Sequence, residues 1–89
     1  MNLFVVYIGG SHPNSLIELH DIRFVVANSI EETYGALRSN WWGVSTSLHI
    51  DAWGILKYAD GHSIHISQLP SEDNNNKLFF VNLGGYDQE

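Results

Sequence analysis

The chain has 89 residues, no cysteine, and four basic against ten acidic side chains for a formal charge of −6. That length fits one small domain, the missing thiols exclude disulfide stapling and a thiolate zinc centre, and the scattered Arg23, Arg38, Lys57 and Lys77 offer no basic footprint for nucleic acid or an anionic membrane. The longest apolar run, Leu3 to Ile8, is far below the roughly 20 residues that span a bilayer, and no basic-then-apolar leader opens the sequence, so a soluble cytoplasmic protein is expected.

In chain order, Leu3-Phe4-Val5-Val6-Tyr7-Ile8 is continuously apolar and rich in β-branched and aromatic residues, which predicts a central strand covered on both faces. Gly9-Gly10 is expected to stop it. Adjacent glycines after a strand suit a tight turn or a backbone nest for an anion. The turn is the favoured reading, because neither a G-x-G-x-x-G nor a Gly-Lys-Ser/Thr motif is present. Ser11 to Ser15 has turn chemistry, Leu16 to Asp21 leads in, and Ile22 to Ala27 predicts a second strand.

Ser29-Ile30-Glu31-Glu32 reads as a capping box that opens a helix, and Asn40 as its stop. Ile30, Tyr34, Leu37 and Trp41 recur at helical spacing, with Glu31 and Glu32 at the positive end of the dipole and Arg38 at the negative end. Gly35 weakens this helix by up to about 1 kcal/mol relative to alanine, so packing has to hold it.

Leu48 to Tyr58 and Ser63 to Leu69 flank Asp60-Gly61, a hairpin signal for a two-residue type I′ turn that pairs Tyr58 with Ser63, Leu56 with His65 and Ile55 with Ile66. Apolar parity changes across Gly54, which predicts a bulge there and places His49, Asp51, Trp53 and His65 on one face. Pro70 to Lys77, with three consecutive asparagines, reads as a polar loop. The predicted architecture is α+β in the order β-β-α-β-β-β: a mostly antiparallel sheet of about five strands with one helix packed on one face.

At an offset of 75 residues, Leu3, Phe4, Val6, Gly9 and Gly10 recur as Leu78, Phe79, Val81, Gly84 and Gly85. The stretches YIGGSHPNSLIELHD, FVVANSIEETY, SLHIDAW and FFVNLGGY together resemble a bacterial family known as domain of unknown function 1543, over nearly the whole chain from Leu3 to Tyr86. The resemblance implies a small protein of one or two copies of a unit, with no assigned activity, cofactor or catalytic residue. In two-copy members a segment similar to LFFVNLGGY leads into a second ELH segment. Here the sequence reads as one domain, a unit over residues 1–77 followed by the first strand of another at 78–85. That strand either completes its own sheet or joins a second copy, so a homodimer through Leu78 to Gly85 is one expectation.

Glu18-x-His20-Asp21 and His49-x-Asp51 are the places where metal-type ligands sit two apart, a spacing that projects them to one side of a strand. If the two segments are neighbours, Glu18, His20, His49 and Asp51 form a mixed imidazole and carboxylate site suited to zinc, iron or manganese. The competing reading makes the imidazoles partners of backbone groups and the carboxylates caps of turns and strand ends. Nucleophilic catalysis finds no support, since cysteine and a G-x-S-x-G elbow are both absent. Trp41-Trp42 cannot easily bury both rings in one small domain, which makes Trp42 a candidate platform for a ligand or interface. These features lead to a non-enzymatic module that self-associates or binds a small ligand, with no cofactor expected. A small metal-assisted enzyme using the same His/carboxylate set is the alternative.

Overall fold

A computed structural model of the chain describes residues 1–68 and 77–85, and the loop expected from Pro70 lies, as far as residue 76, outside them. β1 (Asn2–Gly10) is the middle strand of a three-stranded sheet, antiparallel to β2 (Leu19–Ala27) on one side and to β3 (His49–Ile55) on the other. Its side chains alternate. Phe4, Val6 and Ile8 are at most 1% exposed, whereas Tyr7 stands 42% exposed on the opposite face. The strand is therefore central in order, and among the described residues one helix covers one of its faces. Burying each of these three side chains stabilises the fold by about 1.5–3 kcal/mol.

That helix is α1 (Ile30–Ser39), which follows Ser29 and ends at Asn40 as the sequence suggests. Its start differs in detail from a capping box. Ser29 makes no side-chain cap bond, and the Glu32 carboxylate accepts from the Asn28 N–H at 3.1 Å, one residue further back. Leu37 and Thr33 are buried against the sheet, and the Thr33 hydroxyl donates to the Ile30 carbonyl at 2.6 Å, so its burial leaves no polar atom unpaired.

The expectation that Gly9-Gly10 ends the strand in a turn is corrected. Both residues are paired within β1, opposite His20 and Leu19, and neither has the positive φ that a nest alternates. Their value is close approach. A Cβ on Gly10 would lie 2.8 Å from Trp41 Cζ2 on the helix side, where Trp41 is 7% exposed and completes the core with Leu48.

β3 carries a bulge, at Asp51 rather than Gly54. Ile50 lies opposite Ile8 and Ala52 opposite Tyr7, which leaves Asp51 as the extra residue. This shift separates the residues expected on one face. His49 and Asp51 stay on the helix-free side, while Trp53 crosses to the other, its ring centroid 5.7 Å from that of Phe4. The hairpin forms around Asp60-Gly61 with φ of 50° and 75°, both positive as a type I′ turn requires. It pairs Tyr58 with Ser63, but β4 (Tyr58–Ala59) and β5 (His62–Ser63) are only two residues long and make a separate sheet. The pairs expected at Leu56 and Ile55 do not form, because the Leu56 N–H is given to the Leu3 carbonyl at 2.9 Å and Ile55 pairs with Phe4.

The class is therefore α+β, with one helix and antiparallel sheets of three and two strands among the described residues. Leu78 to Gly85, expected as a strand, carries no strand pairing and is exposed throughout, although Phe80 meets Phe24 edge-on at 5.2 Å. Gly10→Ala is expected to lower the free energy of unfolding by about 1–3 kcal/mol through overpacking against Trp41. Urea unfolding checks this, and an unchanged midpoint would remove Gly10 from the account.

Candidate functional site

One row across the sheet organises the helix-free face. Gly9 lies directly opposite His20 of β2 and directly opposite His49 of β3. Adjacent strands are about 4.8 Å apart, so the two imidazoles rise on either side of a residue that has no side chain of its own. A Cβ at Gly9 would stand 3.0 Å from His20 Cδ2, 3.0 Å from His49 Nε2 and 3.1 Å from Asp51 Oδ2. The rings lean together because this position is empty.

Two carboxylates close the ring. Glu18 reaches the site from just before β2 and Asp51 from the bulge in β3. His49 Nε2 lies 2.8 Å from Glu18 Oε1 and 3.1 Å from Asp51 Oδ1, while His20 Nε2 lies 3.3 Å from Glu18 Oε2 and 3.4 Å from Asp51 Oδ2. Each imidazole is thus bracketed by both carboxylates, and each carboxylate bridges both imidazoles. All four side chains remain 35 to 45% exposed, so solvent screens their charges and ligands have access. As the side chains stand, no group of three or more His, Cys, Asp or Glu among the described residues could hold a metal ion.

His49 has a fixed orientation. Its Nδ1 is 3.1 Å from the Ser47 carbonyl, which can only accept, so Nδ1 carries the proton. In the neutral ring, Nε2 then presents a lone pair to the oxygens of Glu18 and Asp51. The Ser47 carbonyl raises the His49 pKa above its ordinary value of 6.5; the Glu18 and Asp51 carboxylates add to this, and partial desolvation opposes it.

His20 is held differently, by stacking on Tyr7 with ring centroids 5.3 Å apart and planes at 12°. Tyr7 was not among the residues singled out from sequence. The available signal was parity, since Tyr7 and Gly9 are two apart on one strand and so share a face.

The remaining candidates lie elsewhere. Trp42, 52% exposed, sits on the helix side, with the Arg23 guanidinium 5.0 Å from its ring and Trp41 at 5.3 Å. Arg23 lies opposite Val6 and is ion-paired to Asp21, so the Arg23–Trp42 group and the histidine cluster occupy opposite faces of the sheet. Gly10 belongs to the core beneath Trp41, and only Gly9 of the glycine pair takes part in the site.

In chelator-treated protein, NMR titration of the His49 ring is expected to give a pKa above 6.5. A folded-state value raised above the unfolded one means that the His49 contribution to stability is complete below about 6.5 and is lost as pH rises through the folded-state pKa. A value at or below 6.5 would contradict the Ser47 and carboxylate contacts.

Comparison with curated proteins finds no match. Among solved structures the chain is similar to the protein Il1583 from Idiomarina loihiensis, at 51% identity and a TM-score of 0.73, over 80% of this chain and 49% of the other. The chain spans about half the length of that protein. The family model described as Domain of Unknown Function (DUF1543) matches residues 15–66, a stretch that contains Glu18, His20, α1, β3 with His49 and Asp51, and the Asp60-Gly61 hairpin, and on that match the chain belongs to the DUF1543 family.

Proposed function

We propose that the protein is a non-enzymatic binding module whose ligand is a small cation, taken at Glu18, His20, His49 and Asp51. The observation that carries this reading is the direction of the His49 lone pair. With Nδ1 committed to the Ser47 carbonyl, the neutral ring turns its Nε2 lone pair toward the oxygens of Glu18 and Asp51 at 2.8 and 3.1 Å, an arrangement that calls for positive charge, supplied by a proton on Nε2 in the free protein and by the cation when one binds. The two carboxylates with neutral imidazoles carry a local charge of −2, in keeping with the acidic chain as a whole. A protein ligand would need a broad surface here, whereas His20, His49 and Asp51 all lie within 3.1 Å of one position above Gly9 and Glu18 reaches both rings.

Titration with ammonium, guanidinium, magnesium and zinc ions, followed on the ring resonances of all five histidines, tests this reading. At least one of these cations is expected to move His20 and His49 together and leave His62 in place. If none of the four moves both rings, the cluster is a surface ion-pair network and not a binding site.

A second reading, self-association through the C-terminal segment, is favoured by one separate observation. Leu78, Phe79, Phe80, Val81 and Leu83 are 53, 76, 56, 65 and 85% exposed, an apolar run of a kind that soluble monomers seldom leave uncovered. It borders an apolar hollow formed with Leu3, Val5, Phe24 and Leu56 on the same helix-free face. A homodimer that covers this run is the expected state at micromolar concentration, and Phe79→Asp with Leu83→Asp should return it to one chain. Sedimentation equilibrium decides the matter, since a wild-type mass of one chain would end this reading.

A further inference from the structure

We infer that the cation is a divalent transition metal and that Glu18, His20, His49 and Asp51 are its ligands, an assignment that rests on the cation-binding reading above. Three features narrow the class of ion.

The first is spacing. Metal bonds of about 2.0–2.2 Å place neighbouring ligand atoms roughly 3.0 Å apart in an octahedron and roughly 3.4 Å apart in a tetrahedron. The four imidazole-to-carboxylate distances, 2.8, 3.1, 3.3 and 3.4 Å, fall close to that interval. The donors come as two imidazole nitrogens and two carboxylates. That mixture suits zinc, manganese or iron, whereas magnesium and calcium take oxygen almost alone.

The second is orientation. A metal-bound histidine characteristically donates its other ring N–H to a carbonyl or carboxylate, which fixes the tautomer and aims the free lone pair at the ion. The His49 Nδ1–H donating to the Ser47 carbonyl is that arrangement, already made within the protein. His20 has its ring plane set by the stack on Tyr7.

The third is space. Gly9 sits beneath all of this, and any side chain there would meet His20, His49 and Asp51 at 3.0–3.1 Å. The donors now pair with one another rather than surround a centre. Closing them on an ion requires the Glu18 and Asp51 carboxylates to rotate, and these are 42 and 35% exposed and already within 3.4 Å of both rings. The arriving ion takes the place of any proton shared between the rings and the carboxylates, bonds to every group, and its two positive charges offset the two carboxylates.

Isothermal titration of tag-free, chelator-treated protein with zinc, manganese and magnesium chlorides tests the assignment. One zinc or manganese ion per chain is expected, with magnesium much weaker. His49→Ala should weaken zinc or manganese binding at least about tenfold, and His62→Ala should leave it unchanged. Because His49→Ala also removes the contacts of the ring with Ser47, Glu18 and Asp51, Mn²⁺ line broadening in the wild-type protein supplies a reading independent of the variant, expected at His20 and His49 and not at His62. Saturable zinc binding that His49→Ala leaves intact would overturn the assignment, and so would the absence of saturable zinc and manganese binding. If ammonium or guanidinium moves both rings while neither metal binds, the metal assignment falls and the broader cation-binding reading survives. If no cation binds, both fall.

Discussion

The structure depends on two consecutive residues of the central strand having no side chains. Gly9 and Gly10 point to opposite faces of β1, and each face fills the vacancy with something that would collide with a Cβ. On the helix side the Trp41 indole drops onto Gly10 and completes the core. On the other side the imidazoles of His20 and His49 close over Gly9. The same dipeptide therefore couples packing to chemistry.

The two faces of the sheet have different tasks as a result. The helix face holds Phe4, Val6, Ile8, Leu37 and Leu48, where the transfer of apolar surface from water supplies most of the stability of a small domain. The helix-free face is polar at the Gly9 end and apolar at the Leu3 end, with Tyr7 between the two regions. At the polar end the two imidazoles are already oriented. Ser47 fixes the His49 tautomer and Tyr7 fixes the His20 plane, so the two rings have little side-chain freedom left.

Much of this was legible in the sequence where local periodicity decides structure, and less where the tertiary arrangement decides. α1 begins and ends beside Ser29 and Asn40, as their residue types suggest, although Glu32 and not the Ser29 side chain makes the hydrogen bond at its start, and the Asp60-Gly61 turn follows from its own residue types. The pairs Glu18-x-His20 and His49-x-Asp51 mark one side of their segments because strand side chains repeat every two residues. That the two segments face one another across Gly9 depends on β1 lying between β2 and β3, which no local pattern encodes. The bulge was misplaced because a glycine inside a strand is the usual sign of one, whereas here the extra residue is an aspartate held by histidines. Gly9-Gly10 was read as a turn for the same kind of reason. Close approach from both faces is invisible until the neighbours are known. Leu78 to Gly85 has the letters of β1 without its setting: β2 and β3 each present an outer edge in the three-stranded sheet, and the segment pairs with neither.

The bulge at Asp51 makes distance along the chain carry information that residue identity does not. Before it, β3 directs odd-numbered side chains away from the helix, with His49 opposite Gly9, and after it Ala52 and Gly54 take that direction while Trp53 and Ile55 turn toward the core. One unmatched residue thus acts as a phase shifter between two stretches that obey opposite parities. Substitutions within either stretch change what the protein presents, but the count of residues between His49 and Trp53 determines where it is presented.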